Sequence, residues 1–337
     1  MSQSSPAPAS LAVVGIGNAI VDVIATADDG FIAQRKLDKG GMRLIDGQEA
    51  ETLYAAMGPG TEMSGGSCAN TMVGVALLGG NAGYVGRVRD DQLGAVFAHD
   101  LRAAGVRFTA QPAKDGPPTA RCLILVTPDA QRTMNTYLGA CIHLQPSDIA
   151  ADEIAKGEVL YIEGYLWDQP PAKEACRKAM KIAADHKREV ALTLSDAFCV
   201  GRWRDEFREL VKGPVDILFA NESEILSLYE VADFDAALKQ VRQEVKIACL
   251  TRSEKGSVIV RGNETFTIPA MPMGKVVDTT GAGDLYAAGF LYGYRQHGDL
   301  ELAGKIASLA AGEVISHVGA RPQQDLKALI RTKLGVQ

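Results

Sequence analysis

The sequence has no run of about 18 apolar residues of the kind a membrane-spanning helix requires. Its first ten residues, Met1 to Ser10, are small and polar rather than a charged leader followed by an apolar segment. A cytoplasmic protein with no membrane partner is therefore expected. A basic stripe is also missing: 35 Lys and Arg are interspersed with 41 Asp and Glu, for a net charge of −6, which argues against a nucleic-acid backbone as main partner. The six cysteines (Cys68, Cys122, Cys141, Cys176, Cys199, Cys249) contain no Cys-x-x-Cys pair, and the five histidines (His99, His143, His186, His297, His317) stand apart. That spacing excludes a zinc site and a disulfide framework and leaves buried thiols. What the chain has in abundance is apolar residues, 47% of 337, enough for one large domain with an appendage or for two domains.

Apolar runs and turn residues alternate along the chain. Leu11 to Asn18 reads as a buried first strand ending in a loop, and Ala19 to Ala25 continues it with one carboxylate, Asp22, inside a β-rich apolar segment. An unpaired charge is costly there. Asp22 either faces water from an edge strand or accepts hydrogen bonds from ligand hydroxyls. The pattern is weak from Thr26 to Gly60, apart from a helix over Glu49 to Met57. Gly65-Gly66 then turns into a helix of small residues that ends at Gly79-Gly80; its Asn70 is either a packing amide or a ligand contact. Asn81 to Val88 reads as a strand, Asp91 to Ala104 as a helix closed by Gly105, and Val106 to Thr109 and Ala120 to Val126 as strands. Arg132, after the turn Pro128-Asp129-Ala130, is either a solvated turn residue or a phosphate clamp.

The second half alternates more regularly: strands at Val159–Glu163, Val190–Leu194, Val215–Ala220 and Ile247–Thr251, with helices at Pro171–His186 and Asp205–Val211 between them. This predicts a parallel sheet with helices on both faces, with ligands gathering at the carboxyl ends of its strands. At one such end lies Asn221-Glu222-Ser223-Glu224, either oxygen ligands for magnesium or an N-cap with acidic first-turn residues. Arg252 to Gly256 makes a tight hairpin into the strand Ser257 to Val260, suited to meeting nucleotide phosphates. The helix Leu302 to His317 and the loop Val318 to Pro322 come after the segment of greatest chemical interest.

That segment is Val276 to Phe290. Gly281-Ala282-Gly283 turns tightly into a helix start, where backbone N–H groups attract anions, and Asp284 falls in the first turn, placed to take a proton from a hydroxyl. A capped strand-to-helix turn is the plain alternative.

Together these motifs, Gly17-Asn18 with Asp22, Gly65-Gly66 with Asn70, Asn221 with Glu224, and Asp278 to Asp284, stand in the order found in the ribokinase-like PfkB carbohydrate kinase family, which the chain resembles over nearly its whole length. Within that family the segments Leu194-Ser195-Asp196-Ala197-Phe198 and Val215 to Glu222 are most similar to the adenosine kinase group. Asp196 and Ala197 depart from its usual Ala-Pro, and Ser253 stands where many members have Gly. The resemblance implies one domain, a doubly wound, mainly parallel α/β sheet with a small β-sheet lid formed by segments within residues 22–64 and 106–138, monomeric or dimeric through that lid. It also implies in-line transfer of the ATP γ-phosphoryl to the 5′-hydroxyl of adenosine, giving AMP in purine salvage. Asp284 is then the base, Gly281, Ala282 and Gly283 stabilise the transferring group, and Arg132 adds a cation. Asn18, Asp22, Gly65, Gly66 and Asn70 hold the acceptor's hydroxyls, with Leu138, Phe198 and Trp167 as candidates for an apolar base slot. Asn221, Thr251, Ser253 and Gly256 face ATP; magnesium is met through water at Asn221 and Glu224, and a potassium ion lies beside Asp278 and Ser316. A sugar kinase acting on ribose or fructose and a non-catalytic nucleoside or sugar sensor are the competing readings.

Overall fold

Strands that read as unbroken apolar runs become the middle of a sheet buried on both faces. The computed structural model describes residues 10–129 and 131–336. The reading of the polar leader therefore lies almost wholly outside the described residues, as does Ala130 in the turn before Arg132. In chain order, β1 (Leu11–Ile16) and β2 (Ile20–Thr26) precede α1 (Asp29–Gln34), β3 (Met42–Leu44), α2 (Gly47–Ala56), β4 (Gly60–Gly65) and α3 (Ser67–Leu78). Then come β5 (Ala82–Val85), α4 (Gln92–Ala103), β6 (Arg107–Phe108), β7 (Ala120–Val126), β8 (Arg132–Tyr137), α5 (Ala151–Ala155) and β9 (Gly157–Glu163). They are followed by α6 (Pro170–Asp185), β10 (Glu189–Thr193), α7 (Ala197–Lys212), β11 (Ile217–Asn221), α8 (Glu222–Tyr229), α9 (Phe234–Glu244) and β12 (Ile247–Thr251). The chain closes with β13 (Ser257–Arg261), β14 (Glu264–Ile268), α10 (Ala282–His297), α11 (Leu300–Val314) and α12 (Leu326–Leu334).

The larger sheet has the order β14-β13-β12-β11-β10-β9-β1-β5-β6, parallel from β6 through β12 and antiparallel at β13 and β14. Alternation along its strands feeds two cores. Val13, Val159 and Tyr161 pack with α3, α10 and α11, whereas Val14, Leu160 and Ile162 pack with α6, α7, α8 and α9. The doubly wound α/β class expected from the sequence is what is found. A second sheet, β3-β8-β7-β2-β4, takes β2 directly after the Gly17-Asn18-Ala19 corner that ends β1. It draws on residues 20–65 and 120–137. The segment near residue 107, expected beside it, is instead the β6 edge of the larger sheet.

Several local readings shift. The helix expected at Asp205 begins already at Ala197, where the Asp196 carboxylate accepts from the Cys199 N–H, and the backbone leaves helical geometry at Trp203 (φ −126°). β3, β4, β8, β14, α1, α5, α9 and α12 are not assigned from sequence, and α8 only as the N-cap alternative at Asn221.

Helices α10 and α11 meet through small residues. A Cβ on Gly289 would lie 2.6 Å from Ala307 Cα, and one on Gly293, a turn later, 2.7 Å from Ala303 Cα. These glycines let two backbones touch, which sets the depth at which α10 lies on the sheet. Gly289→Ala is therefore expected to lower unfolding stability by about 1–3 kcal/mol through overpacking, read as a drop in the urea midpoint; an unchanged midpoint would show that α11 can move aside freely.

Candidate active site

The first turn of α10 is built around Gly281, whose φ of +80° belongs to the left-handed region that glycine enters without strain. The Ala282 N–H donates to the Thr279 carbonyl (3.2 Å), so Ala282 does not join an anion-facing set. Leu285 N–H closes the first helical bond to Gly281 O (2.8 Å), and the amides of Gly283 and Asp284 between them have no partner among the described residues. Nothing stands within 4 Å of where a Cβ on Gly283 would be. An open helix start with unspent N–H groups fits a phosphate.

Asp284 belongs to that turn but is held from another helix. Its Oδ1 accepts from Ser67 Oγ (2.6 Å) and its Oδ2 from Asn70 Nδ2 (3.0 Å). Ser67 and Asn70 are three apart on α3, hence on one face. Burial raises the Asp284 pKa above the ordinary carboxylate value; the two hydrogen bonds and the Arg321 charge oppose this without cancelling it. Asn70 thus touches the proposed base itself, and its Oδ1 is buried with no partner among the described residues. Helix α3 starts at Gly66 (φ +90°), where a Cβ would come within 2.4 Å of the Asn18 carbonyl oxygen.

Asp22 lies on β2 between β4 and β7, an inner strand, which removes the edge-strand alternative. With Ile20 and Ile24 it faces the half-buried side of the strand. Its carboxylate packs over Gly65, where a Cβ would be 2.4 Å from it. Burial pushes its pKa up to about 6, against the lowering charges of Arg321 and Arg132 and with a further rise from Asp284. Asn18, expected to meet the acceptor, is 5% exposed and donates from Nδ2 to Glu163 Oε1 (2.8 Å). Glu163, at the carboxyl end of β9, also accepts from the Cys68 N–H at Oε2 (3.0 Å). It joins the β1–β2 corner to the start of α3, and its own burial pushes its pKa up to about 7.

Arg132 opens β8 and is 8% exposed, so it is no solvated turn residue. Its guanidinium pairs with the Asp278 carboxylate. Asp278 Oδ2 also accepts from Gly319 N (2.9 Å), and Oδ1 accepts from Thr280 N (3.0 Å) and Thr280 Oγ1 (2.7 Å). Burial alone would raise the Asp278 pKa, but these bonds hold it below the ordinary value. Ser316 Oγ donates to the Glu313 carbonyl (2.7 Å). Both Asp278 oxygens are therefore occupied and its charge is matched by Arg132, so the expected potassium position does not fit this arrangement.

Asn221 and Glu224 form a reciprocal capping box at the start of α8. Glu224 accepts from Asn221 N (2.9 Å) and Nδ2 (2.6 Å), while Asn221 Oδ1 accepts from Glu224 N (2.9 Å). Glu224 is 5% exposed, with burial raising its pKa to about 7. The N-cap alternative describes this tetrapeptide, and direct metal ligation by Glu224 is not compatible with it; of the two expected residues, Asn221 is the exposed one, open to contact through water. Thr251 ends β12, and Ser253 adopts φ +52°, a left-handed conformation that glycine enters more readily, ahead of Gly256 at φ +80°. Of the apolar candidates, Trp167 is fully buried against Phe207, Phe198 is 83% exposed and Leu138 is half-buried, so the three do not form one slot.

Sequence reasoning missed Ser67, Glu163 and Arg321. Arg321 acts electrostatically on Asp22 and Asp284, and its Nη2 donates to Ser64 Oγ (2.8 Å). The only signals were a hydroxyl directly after Gly65-Gly66, a carboxylate closing an apolar strand, and an Arg between Gly319-Ala320 and Pro322.

The model of the pfkB family carbohydrate kinases matches residues 46–326. The chain resembles the crystal structure of adenosine kinase from Sinorhizobium meliloti with 54% identity and a TM-score of 0.88, covering 96% of this chain and 99% of that one. A probable sugar kinase from Rhizobium etli is 50% identical with a TM-score of 0.89, covering 97% and 100%. The 5-dehydro-2-deoxygluconokinase of Listeria monocytogenes is 30% identical over 295 residues, 79% of this chain and 86% of that protein.

Glu163 gives a pH test. Its folded pKa of about 7 exceeds the ordinary 4.5, so its contribution to stability is fully present below pH 4.5 and is lost as pH rises through 7. Relative to wild type, Glu163→Gln is therefore expected to gain roughly 3–4 kcal/mol between acid and mildly alkaline pH. Urea unfolding of both proteins on either side of neutrality measures this, and a difference independent of pH would count against a buried, reluctantly ionised Glu163.

Proposed function

The chain belongs to the pfkB family of carbohydrate kinases, phosphotransferases with an alcohol group as acceptor, and from that premise we propose that its acceptor is the 5′-hydroxyl of adenosine and its product AMP. The observation that carries the reading is the juxtaposition at Asp284: a carboxylate with raised pKa, held by Ser67 and Asn70, beside an open helix start and facing Asp22. The high identity to an adenosine kinase over nearly the whole chain supports adenosine over a free sugar.

ATP supplies the γ-phosphoryl, and magnesium accompanies it, met through water at the exposed Asn221. The unspent amides of Gly283 and Asp284 receive negative charge on the transferring group, as a preorganised set of donors does at low reorganisation cost. Asp284 orients the hydroxyl and takes its proton as the oxygen attacks. Its hydrogen bonds to Ser67 and Asn70 fix which carboxylate lone pairs face the acceptor. Asp22 accepts from the acceptor's remaining hydroxyls. Arg132, locked to Asp278, fixes the loop before α10 to the second sheet.

A sugar acceptor is the second reading, favoured by the 50% identical probable sugar kinase and by the absence of one continuous apolar slot among Leu138, Phe198 and Trp167. Turnover with ATP and adenosine, inosine, ribose or fructose separates the two; faster turnover of ribose than of adenosine would replace the first reading by the second. Asp284→Asn is expected to reduce kcat by on the order of 10²–10⁴, the range for loss of a positioned general base, with nucleoside affinity kept within a few-fold. Near-normal turnover in that variant would remove Asp284 from the role of base, and wild type that binds nucleoside without turnover would favour a sensor.

A further inference from the structure

Two carboxylates that share a buried cleft oppose each other's ionisation, yet the roles given to Asp22 and Asp284 require both to be charged. Of the two cations near them, Arg132 is committed to Asp278. Arg321 is not. It follows α11 in the loop from Gly319 to Pro322 and reaches the base of the second sheet, where Nη2 donates to Ser64 O (2.5 Å) and Ser64 Oγ (2.8 Å). Ser64 is fixed in turn by Asp100 of α4, whose Oδ2 accepts from Ser64 N (2.8 Å) and Oγ (2.5 Å). The other arm of the guanidinium, Nη1, is buried with no partner among the described residues. Burial lowers the Arg321 pKa below the ordinary guanidinium value, and the charges of Asp100, Asp22 and Asp284 oppose that shift without cancelling it.

We propose that Arg321 is the shared counter-ion of Asp22 and Asp284, a positioning residue that holds both carboxylates ionised in one cleft. The inference rests on the reading of Asp284 as the base of a kinase. The geometry supports a division of its two arms. Nη2 ties the C-terminal loop to Ser64, the residue immediately before the Gly65-Gly66 turn, and so fixes where the charge sits. Nη1 makes no hydrogen bond among the described residues. Because Gly65 packs under Asp22 and Gly66 opens the helix that carries Ser67 and Asn70, one guanidinium is anchored to the segment that positions both acids. Asp22 is faced by Arg321, by Arg132 from β8, by Asp284 and by the Cys122 thiol of β7. Asp284 is faced by Arg321, by Asp22, by Glu163 and Tyr161 of β9 and by the Cys68 thiol of α3. Arg321 is the one group acting on both that is cationic and not already matched to another carboxylate by a direct ion pair.

The test is the acid limb of kcat/KM against pH, measured with saturating ATP and magnesium and with adenosine, or ribose if that turns over faster. In Arg321→Gln the limb is expected to move up by about one pH unit, the shift that loss of a nearby opposite charge produces, while Arg321→Lys stays near wild type. Asp100→Asn removes a carboxylate that competes for the same guanidinium, so its limb is expected to move down. Opposite displacements from two neighbouring sites are not the signature of a general structural disturbance. A limb that stays in place or moves down in folded Arg321→Gln overturns the counter-ion role. If that variant does not fold, an acid limb that is unmoved or raised in Asp100→Asn does the same. Absence of turnover in wild type with every acceptor removes the kinase reading and this role with it, whereas turnover with unmoved limbs removes only the role.

Discussion

The hydrogen bonds from Ser67 and Asn70 to Asp284 are the constraint on which the cleft depends, because they join the starts of two helices that come from opposite ends of the sequence. Asp284 gains from the partial positive charge at the start of α10, and α3 decides its orientation. Both helices are located by contacts with almost no slack. A Cβ on Gly74 of α3 would lie 2.6 Å from Ala288 Cβ of α10, and α10 meets α11 through Gly289 and Gly293. Packing among small residues far from the chemistry thus sets the carboxylate to within tenths of an ångström, the tolerance that a positioned base demands.

The carboxylates of the region separate by their partners and not by residue type. Asp278 and Asp284 are close in sequence, yet one is held below and the other above the ordinary value. Asp278 receives donors at both oxygens and a guanidinium, enough to outweigh its desolvation. Asp284 receives two neutral donors and only a more distant cation, and desolvation prevails. The first is thereby a fixed anchor for the loop and for β8, the second a group that can take up a proton. Such a split between neighbouring acids is how one site supplies both a structural charge and a base at neutral pH.

Much of the fold and part of the site were legible in the sequence, for reasons that are local. Strands buried on both faces leave apolar runs, and a phosphate-facing helix start needs glycine where φ is positive, so both leave a trace in consecutive residues. In the second sheet β2 and β7 are mostly apolar and were legible, whereas β3, only three residues long, and the largely polar β4 left no comparable trace. Asn221-Glu224 was legible in two ways because a capping box and a pair of metal ligands use the same residues; the short reciprocal bonds show the cap. Ser67, Glu163 and Arg321 were missed because their partners stand 217, 145 and 257 residues away, beyond the reach of any periodicity. Arg132 was visible only as an alternative, since its ion pair spans 146 residues.

The same distinction between local and distant contacts separates phosphoryl chemistry from acceptor choice. The turn at Gly281 and the proposed base Asp284 lie within one short motif on the larger sheet's side. The residues expected to meet an acceptor are dispersed along the chain: Asp22 on β2, Gly65 at the end of β4, Leu138 after β8 and Phe198 at the exposed start of α7. An exposed phenylalanine forgoes about 2 kcal/mol of burial, so the start of α7 carries uncovered apolar surface at Phe198. On the proposed reading, preference for one acceptor over another therefore turns on a few residues distant from Asp284 in sequence. Relatives named for adenosine, for a sugar and for a dehydrodeoxygluconate can share one fold, because changing such residues leaves the helix start and its base untouched.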